Sequence, residues 1–173
     1  NKSFVLVTAH RRENFGLGMQ EICSAISELA NEYPEVNFVF PVHPNPNVRS
    51  LVYERLTNFS NIFLIEPLDY FDFLIVLSKC LFVISDSGGV QEEAPSFNKY
   101  LILLRDMTER PEVVKLGIAK MVGTDKAKIL LESHLLLRAK DLSLSNDVGV
   151  NPFGKGDSSS NITNVIVDWL KTK

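Results

Sequence analysis

The chain has 173 residues, enough for one core of ordinary domain size, with 18 basic and 21 acidic residues and a net charge of −3. No Lys/Arg block exceeds two residues, so a nucleic-acid surface has no electrostatic support and any anion site must be local. The longest apolar runs fall far short of a membrane span, and Cys23 and Cys80 lie far apart without metal-ligand spacing, so the expectation is a cytoplasmic protein with reduced thiols, no membrane contact and no metal.

Ser3 to Thr8 is a β-branched apolar run, a buried strand whose end delivers Thr8-Ala9-His10-Arg11-Arg12-Glu13-Asn14. The start of the chain almost inside a strand gives the expectation that it is the second half of a larger protein. After the turn Phe15 to Gly18, Ile22, Ala25, Ile26 and Leu29 recur as a helical stripe that ends near Tyr33-Pro34. Val36 to Val42 is the second strand; its exit, Pro41 to Asn47, carries three prolines and His43, and a helix with Val48, Leu51, Val52 and Leu56 follows. Ile62 to Ile65 is a short third strand, and Asp69 caps an apolar helix over Phe73 to Leu77.

Leu81 to Ser85 reads as a fourth buried strand feeding Asp86-Ser87-Gly88-Gly89-Val90-Gln91-Glu92-Glu93. A strand end that enters a helix through small residues presents unpaired backbone N–H groups at the positive end of the helix dipole, which suits a phosphate. Two carboxylates one turn in would repel it, so at least one of Glu92 and Glu93 is expected to face neutral hydroxyls such as a ribose diol. Tyr100 to Leu104 is a fifth strand, followed by Arg105-Asp106-Met107-Thr108-Glu109-Arg110 and a helix starting at Pro111. Ala119 to Val122 is a sixth strand, Gly123-Thr124-Asp125 cap a helix to about Leu137, and Ser158 to Ser160 open a last helix using Ile162, Val165, Ile166 and Trp169.

Strands alternate with helices throughout, so the fold class is α/β: a Rossmann-like, mainly parallel sheet with helices on both faces, forming one domain over 1–173. The unusual polar clusters, at His10, His43, Ser87 to Gly89 and Arg105 to Arg110, all follow strands, the rim where such folds bind ligands. Each has a plain alternative: a salt-bridged turn at His10 to Asn14, a structural loop at His43, a packing turn at the glycines, an ion-pair network at Arg105 to Arg110. Arg110, beside Pro111, is the better ligand candidate of that last group. His134 is placed on the polar side of its helix.

These four segments, with Val122-Gly123-Thr124-Asp125 and Asn151-Pro152-Phe153-Gly154, closely resemble the non-hydrolysing bacterial UDP-N-acetylglucosamine 2-epimerases in order and spacing, over essentially the whole chain. The resemblance implies a glycosyltransferase-B-like enzyme of two Rossmann-type domains, with this chain as the C-terminal, UDP-holding domain and the N-terminal domain missing from it. It implies that Ser87, Gly88 and Gly89 hold the diphosphate, that Glu93 takes the ribose hydroxyls, and that backbone near Phe73 meets the uracil. His10 matches an active-site histidine beside the diphosphate, Arg110 lies in a motif lining the cleft, and Arg11 and His43 match positions that in some members hold a second, activating UDP-N-acetylglucosamine. The implied reaction interconverts UDP-N-acetylglucosamine and UDP-N-acetylmannosamine by anti elimination of UDP to 2-acetamidoglucal and syn re-addition, for cell-surface polysaccharide precursors and with no cofactor. Carboxylates of the absent domain act at C2, and the full-length enzyme can be a homodimer.

The chain departs from the family at Phe97-Asn98-Lys99-Tyr100, where Leu-Gly-Lys-Pro is usual, at Met107 for Thr, and over Leu142 to Val150. None of these removes an expected ligand. The competing readings are a hydrolysing epimerase, a nucleotide-sugar glycosyltransferase domain, and an inactive UDP-sugar-binding half.

Overall fold

The structure, a computed structural model, describes residues 3–139 and 151–172; the atypical stretch 142–150 lies outside the described residues. Six strands, β1 (Phe4–Thr8), β2 (Asn37–Pro41), β3 (Ile62–Ile65), β4 (Val83–Ser85), β5 (Leu101–Leu103) and β6 (Ala119–Met121), form one sheet in the order β3-β2-β1-β4-β5-β6. Every neighbouring pair is parallel, as continuous apolar strands buried on both faces require.

The helices are α1 (Leu17–Glu32), α2 (Pro46–Leu56), α3 (Tyr70–Lys79), α4 (Gly88–Glu93), α5 (Pro111–Lys115), α6 (Lys126–Arg138) and α7 (Ser158–Lys171). Alternation along each strand sorts the core into two layers. Val5, Val7, Phe38, Phe40, Ile84 and Ile102 join the apolar stripes of α1 and α2 on one face. On the other, Leu6, Val83, Leu101 and Leu103 pack with Leu77 of α3, Val90 of α4 and Val113 of α5. The expected Asp caps form: Asp69 accepts the N–H of Asp72 at 2.9 Å and Asp125 that of Lys128 at 3.1 Å.

The unusual Asn98 has a local cause. It ends a turn of 3₁₀ helix over Ala94–Phe97 with φ at 53°, the left-handed region where asparagine is the best tolerated residue after glycine. His134 is half-buried rather than on a polar face: Tyr33 from the end of α1 meets its Nδ1 at 3.0 Å, and Glu32 lies 3.5 Å from its Nε2. α7 forms where expected, but its apolar residues Ile162, Val165, Ile166 and Trp169 are exposed.

The topology positions the site. β1 leads outward through α1 to β2 and β3, and α3 then carries the chain back across to β4 on the other side of β1. Loops leaving β1 and β4 therefore diverge, and a crevice opens between them at the carboxyl ends of the strands.

Candidate functional site

The crevice is built around Asp86, the first residue after β4 and fully buried. Its carboxylate accepts the N–H of His10 (2.9 Å), the N–H of Arg11 (2.8 Å) and the side-chain amide of Asn14 (3.0 Å). Asn14, itself buried, also donates to the carbonyl of Leu104 beyond β5. One carboxylate thus fastens the loop after β1 to the exit of β4 and, through Asn14, to the exit of β5. Below it, the hydroxyls of Thr8 and Ser85 meet at 2.6 Å across the β1/β4 pair.

A cleft of about 450 Å³ opens on this rim, and His10, His43, Phe73, Ser87, Gly89 and Glu93 all line it. The structure therefore brings together residues from four separate segments: the loops after β1 and β2, α3, and the turn into α4 with that helix. His10 has Nδ1 3.6 Å from Asp86, and its ring stacks on His43, with centroids 5.4 Å apart and planes 14° from parallel. His43 accepts the N–H of Asn45 at Nδ1, which leaves its neutral ring protonated at Nε2. Phe73 also lines the cleft, with its own N–H taken by the carbonyl of Asp69 and part of the residue packed on the core.

The two carboxylates of α4 divide. Glu93 faces the cleft, where burial raises its pKa, and the hydroxyl of Tyr70 donates to it and partly offsets that rise. Glu92 turns the other way and pairs with Nε of Arg110 at 2.5 Å. A partner for Arg110 rather than for the cleft resolves the repulsion that two acidic groups near a phosphate would create.

At the anion end the N–H of Ser87 is already used: it donates to the hydroxyl of Ser85 at 2.9 Å. Gly88 and Gly89 begin α4, so their N–H groups have no carbonyl partner within the helix. The missing side chain at Gly88 makes room for two cations. A methyl group there would lie 3.1 Å from Nη1 of Arg110 and 3.3 Å from Nη2 of Arg11. Arg105, in contrast, is buried and committed. It forms a two-pronged pair with Glu109 (2.7 and 3.0 Å) and reaches Glu13 at 3.2 Å, and this pairing holds the Glu109 carboxyl down at about 2. The ion-pair network includes both arginines: Arg110 pairs with Glu92 and has Nη1 3.7 Å from Glu109, and the same Nη1 also reaches the glycine turn.

A larger open depression, about 740 Å³, lies at the start of α6 with Glu21, Asp106 and Asp125 beside Lys126 and Lys128. Its charges are mixed and it contains none of the residues that follow β1 or β4, so the smaller cleft is the better built site.

The family model described as UDP-N-acetylglucosamine 2-epimerase matches residues 1–167. The chain belongs to that family. It is 46% identical to the UDP-N-acetylglucosamine 2-epimerase of Campylobacter jejuni over 167 residues, 96% of this chain and 44% of the relative. The Escherichia coli K12 enzyme of the same name is 42% identical over 162 residues, 94% of this chain and 43% of its own length. Among solved structures, the S. aureus MnaA–UDP co-structure superposes with a TM-score of 0.91 at 43% identity, covering 98% of this chain and 47% of that one. The Neisseria meningitidis UDP-GlcNAc 2-epimerase bound to UDP-GlcNAc gives 0.90 at 41%, covering 97% and 45%. The E. coli heptosyltransferase WaaC with ADP, at 14% identity and a TM-score of 0.56 over 79% of this chain and 43% of that one, shares the fold alone. This family member thus spans a little under half the length of the relatives it matches.

Sequence reasoning passed over Asp86, Asn14, Tyr70, Gln91 and Thr108 as site residues. Only Asp86 had a local signal, a charge placed directly after an apolar strand. Replacement of Asp86 by alanine removes the acceptor of the His10 and Arg11 backbone N–H groups and one of the two acceptors of the Asn14 amide, and a loss of about 3 kcal/mol in urea unfolding is expected. Ser60→Ala, at an exposed position between α2 and β3, serves as the control and leaves stability unchanged.

Proposed function

We propose that this chain is the UDP-holding half of a UDP-N-acetylglucosamine 2-epimerase. The observation that carries the reading is the convergence of His10, Phe73, Ser87, Gly89 and Glu93 on one cleft, with the Arg110 guanidinium at its glycine-rich end. Uracil packs against Phe73, the ribose hydroxyls donate to Glu93, and the diphosphate lies against the N–H groups of Gly88 and Gly89 beside Arg110. The relatives co-crystallised with UDP or UDP-GlcNAc support this choice of ligand.

In the proposed reaction the C1–O bond of the sugar breaks and its electron pair leaves with the β-phosphate oxygen, while a base removes the C2 proton to give 2-acetamidoglucal. Re-addition after the proton returns to the opposite face inverts C2. Charge grows on the departing diphosphate, so donors fixed before the reaction stabilise the transition state more than the bound substrate. That is the work assigned to this chain: Gly88, Gly89, Arg110 and His10 hold the leaving group. His10 is suited to it, because its backbone is pinned by Asp86 and its ring by His43. The acids and bases at C2 belong to the part of the enzyme that the relatives carry in the rest of their length. Arg11 and His43, allotted by the resemblance to a second UDP-N-acetylglucosamine, lie at the same rim, so a second molecule bound by them would touch the first. A cytoplasmic location accompanies this reading, in keeping with two buried free thiols.

Calorimetry with UDP tests the binding claim: the wild-type chain binds, and Glu93→Ala weakens binding about tenfold through the loss of a charge-assisted hydrogen bond. Equal affinities would remove Glu93 from the ribose. Because burial raises the Glu93 pKa, the carboxylate that accepts from ribose is lost at a higher pH than for an ordinary glutamate at 4.5, so UDP affinity declines as pH falls toward that range and holds at neutral pH. With the C2 groups assigned elsewhere, the 173-residue chain gives no sustained epimerisation of UDP-N-acetylglucosamine; steady turnover by it would contradict the division of labour.

A further inference from the structure

Gln91 is fully buried in the middle of α4, an uncommon place for an amide, and both ends of its side chain are engaged. Its Nε2 donates to the carbonyl of Ser87 at 3.2 Å. Its Oε1 accepts the hydroxyl of Thr108 at 2.5 Å, and the oxygen of Thr108 in turn accepts the backbone N–H of Arg110 at 3.0 Å. An unbroken relay therefore runs from the glycine turn, through Gln91 and Thr108, to the backbone of Arg110. Residues more than twenty apart in sequence are held in register by one buried side chain.

The other contacts of Arg110 make the relay consequential. Glu92 takes Nε of Arg110, and Nη1 points at the bare Cα of Gly88. The arginine is thus held at its backbone by Thr108, at its Nε by Glu92 and more loosely at Nη1 by Glu109, 3.7 Å away, with the Nη end beside the turn. An apolar residue at 91 would take away the acceptor of the Thr108 O–H and the side-chain donor to the Ser87 carbonyl, so the tether between α4 and the loop carrying Arg110 would be lost.

We propose that Gln91, through Thr108, is a positioning residue that sets the distance between the Gly88–Gly89 turn and the Arg110 guanidinium, and so fixes affinity for the diphosphate arm of a nucleotide independently of its nucleoside. The proposal rests on the UDP reading, which places the diphosphate at this turn. Gln91 touches no ligand in this scheme. Its effect passes entirely through Arg110.

The test titrates the 173-residue chain separately with uridine, inorganic pyrophosphate and UDP. For Gln91→Met, a near-isosteric apolar replacement, affinity for pyrophosphate and UDP falls about tenfold, while uridine affinity stays within about twofold of wild type. Thr108→Val does the same, and Thr108→Ser, which keeps the hydroxyl, restores wild-type binding. Thr108 is only half-buried on a loop, so its two variants carry the test if Gln91→Met fails to fold. Amide hydrogen exchange at Arg110 gives a ligand-free readout: protection is lost in Thr108→Val and kept in Thr108→Ser. The inference is overturned if uridine and pyrophosphate affinities fall together, as a general loss of packing would produce, or if the valine and serine variants behave alike. A wild-type chain that binds pyrophosphate but not uridine or UDP defeats the nucleotide reading while the positioning role of Gln91 survives.

Discussion

Asp86, fully buried at the end of β4, accepts three N–H donors from the loop that leaves β1, and those bonds decide where His10 and Arg11 stand. A carboxylate in that position is costly unless its charge is met by donors, and here two backbone amides and one side-chain amide meet it. The topology opens the crevice, but a crevice between diverging loops has no shape of its own. Asp86 gives it one by fastening the β1 loop across the switch point, and Asn14 extends the same bond network to β5. The remaining parts are built on that fixed edge: the His10–His43 stack on one side, the glycine turn on the other, and the Arg110 loop beyond it.

Much of this was legible in the sequence. Apolar runs mark the strands most clearly at the centre of the sheet, where β4 and β5 are buried at every position; the edge strands β3 and β6 are partly exposed, and Lys120 sits in the middle of β6. The ends alone differ: β4 pairs from Val83 rather than Leu81, and β5 covers Leu101–Leu103, although Leu81, Tyr100 and Leu104 still exchange backbone hydrogen bonds beyond the strand ends. The rim was legible too, since polar clusters after strands are a one-dimensional pattern. What could not be read is which side chain meets which. The Asp86 bonds join residues 72 to 76 apart, and Gln91 meets Thr108 across a helix and a strand. The division between Glu92 and Glu93, adjacent and chemically alike, follows from the angle between two residues on a short helix, which no spacing encodes. The N–H of Ser87, counted with the phosphate cradle by composition, is occupied by Ser85. The cradle is correspondingly narrower, with Gly88 and Gly89 as its backbone donors.

The family assignment and the geometry support each other without duplication. The assignment gives the family, and the geometry gives a fixed rim on which two arginines approach the turn where Gly88 has no side chain; in the proposed reading these groups and the turn meet a departing diphosphate. Neighbouring cations are placed differently. Arg105 is buried between Glu13 and Glu109, whereas Arg110, which pairs with Glu92 and lies 3.7 Å from Glu109, also reaches the turn.

The central claim is that a uridine diphosphate lies across the crevice with its phosphates at the Gly88–Gly89 turn. It is tested most directly by mapping backbone amide shifts of the ¹⁵N-labelled chain during a UDP titration. The account predicts saturable shifts at Gly88, Gly89, Glu93, Phe73, Arg110 and the His10–Arg11 amides bound to Asp86, with Thr124 to Lys128 at the larger depression unmoved. Shifts concentrated at Thr124 to Lys128, or a saturated titration that leaves Gly88 and Gly89 in place, would contradict it.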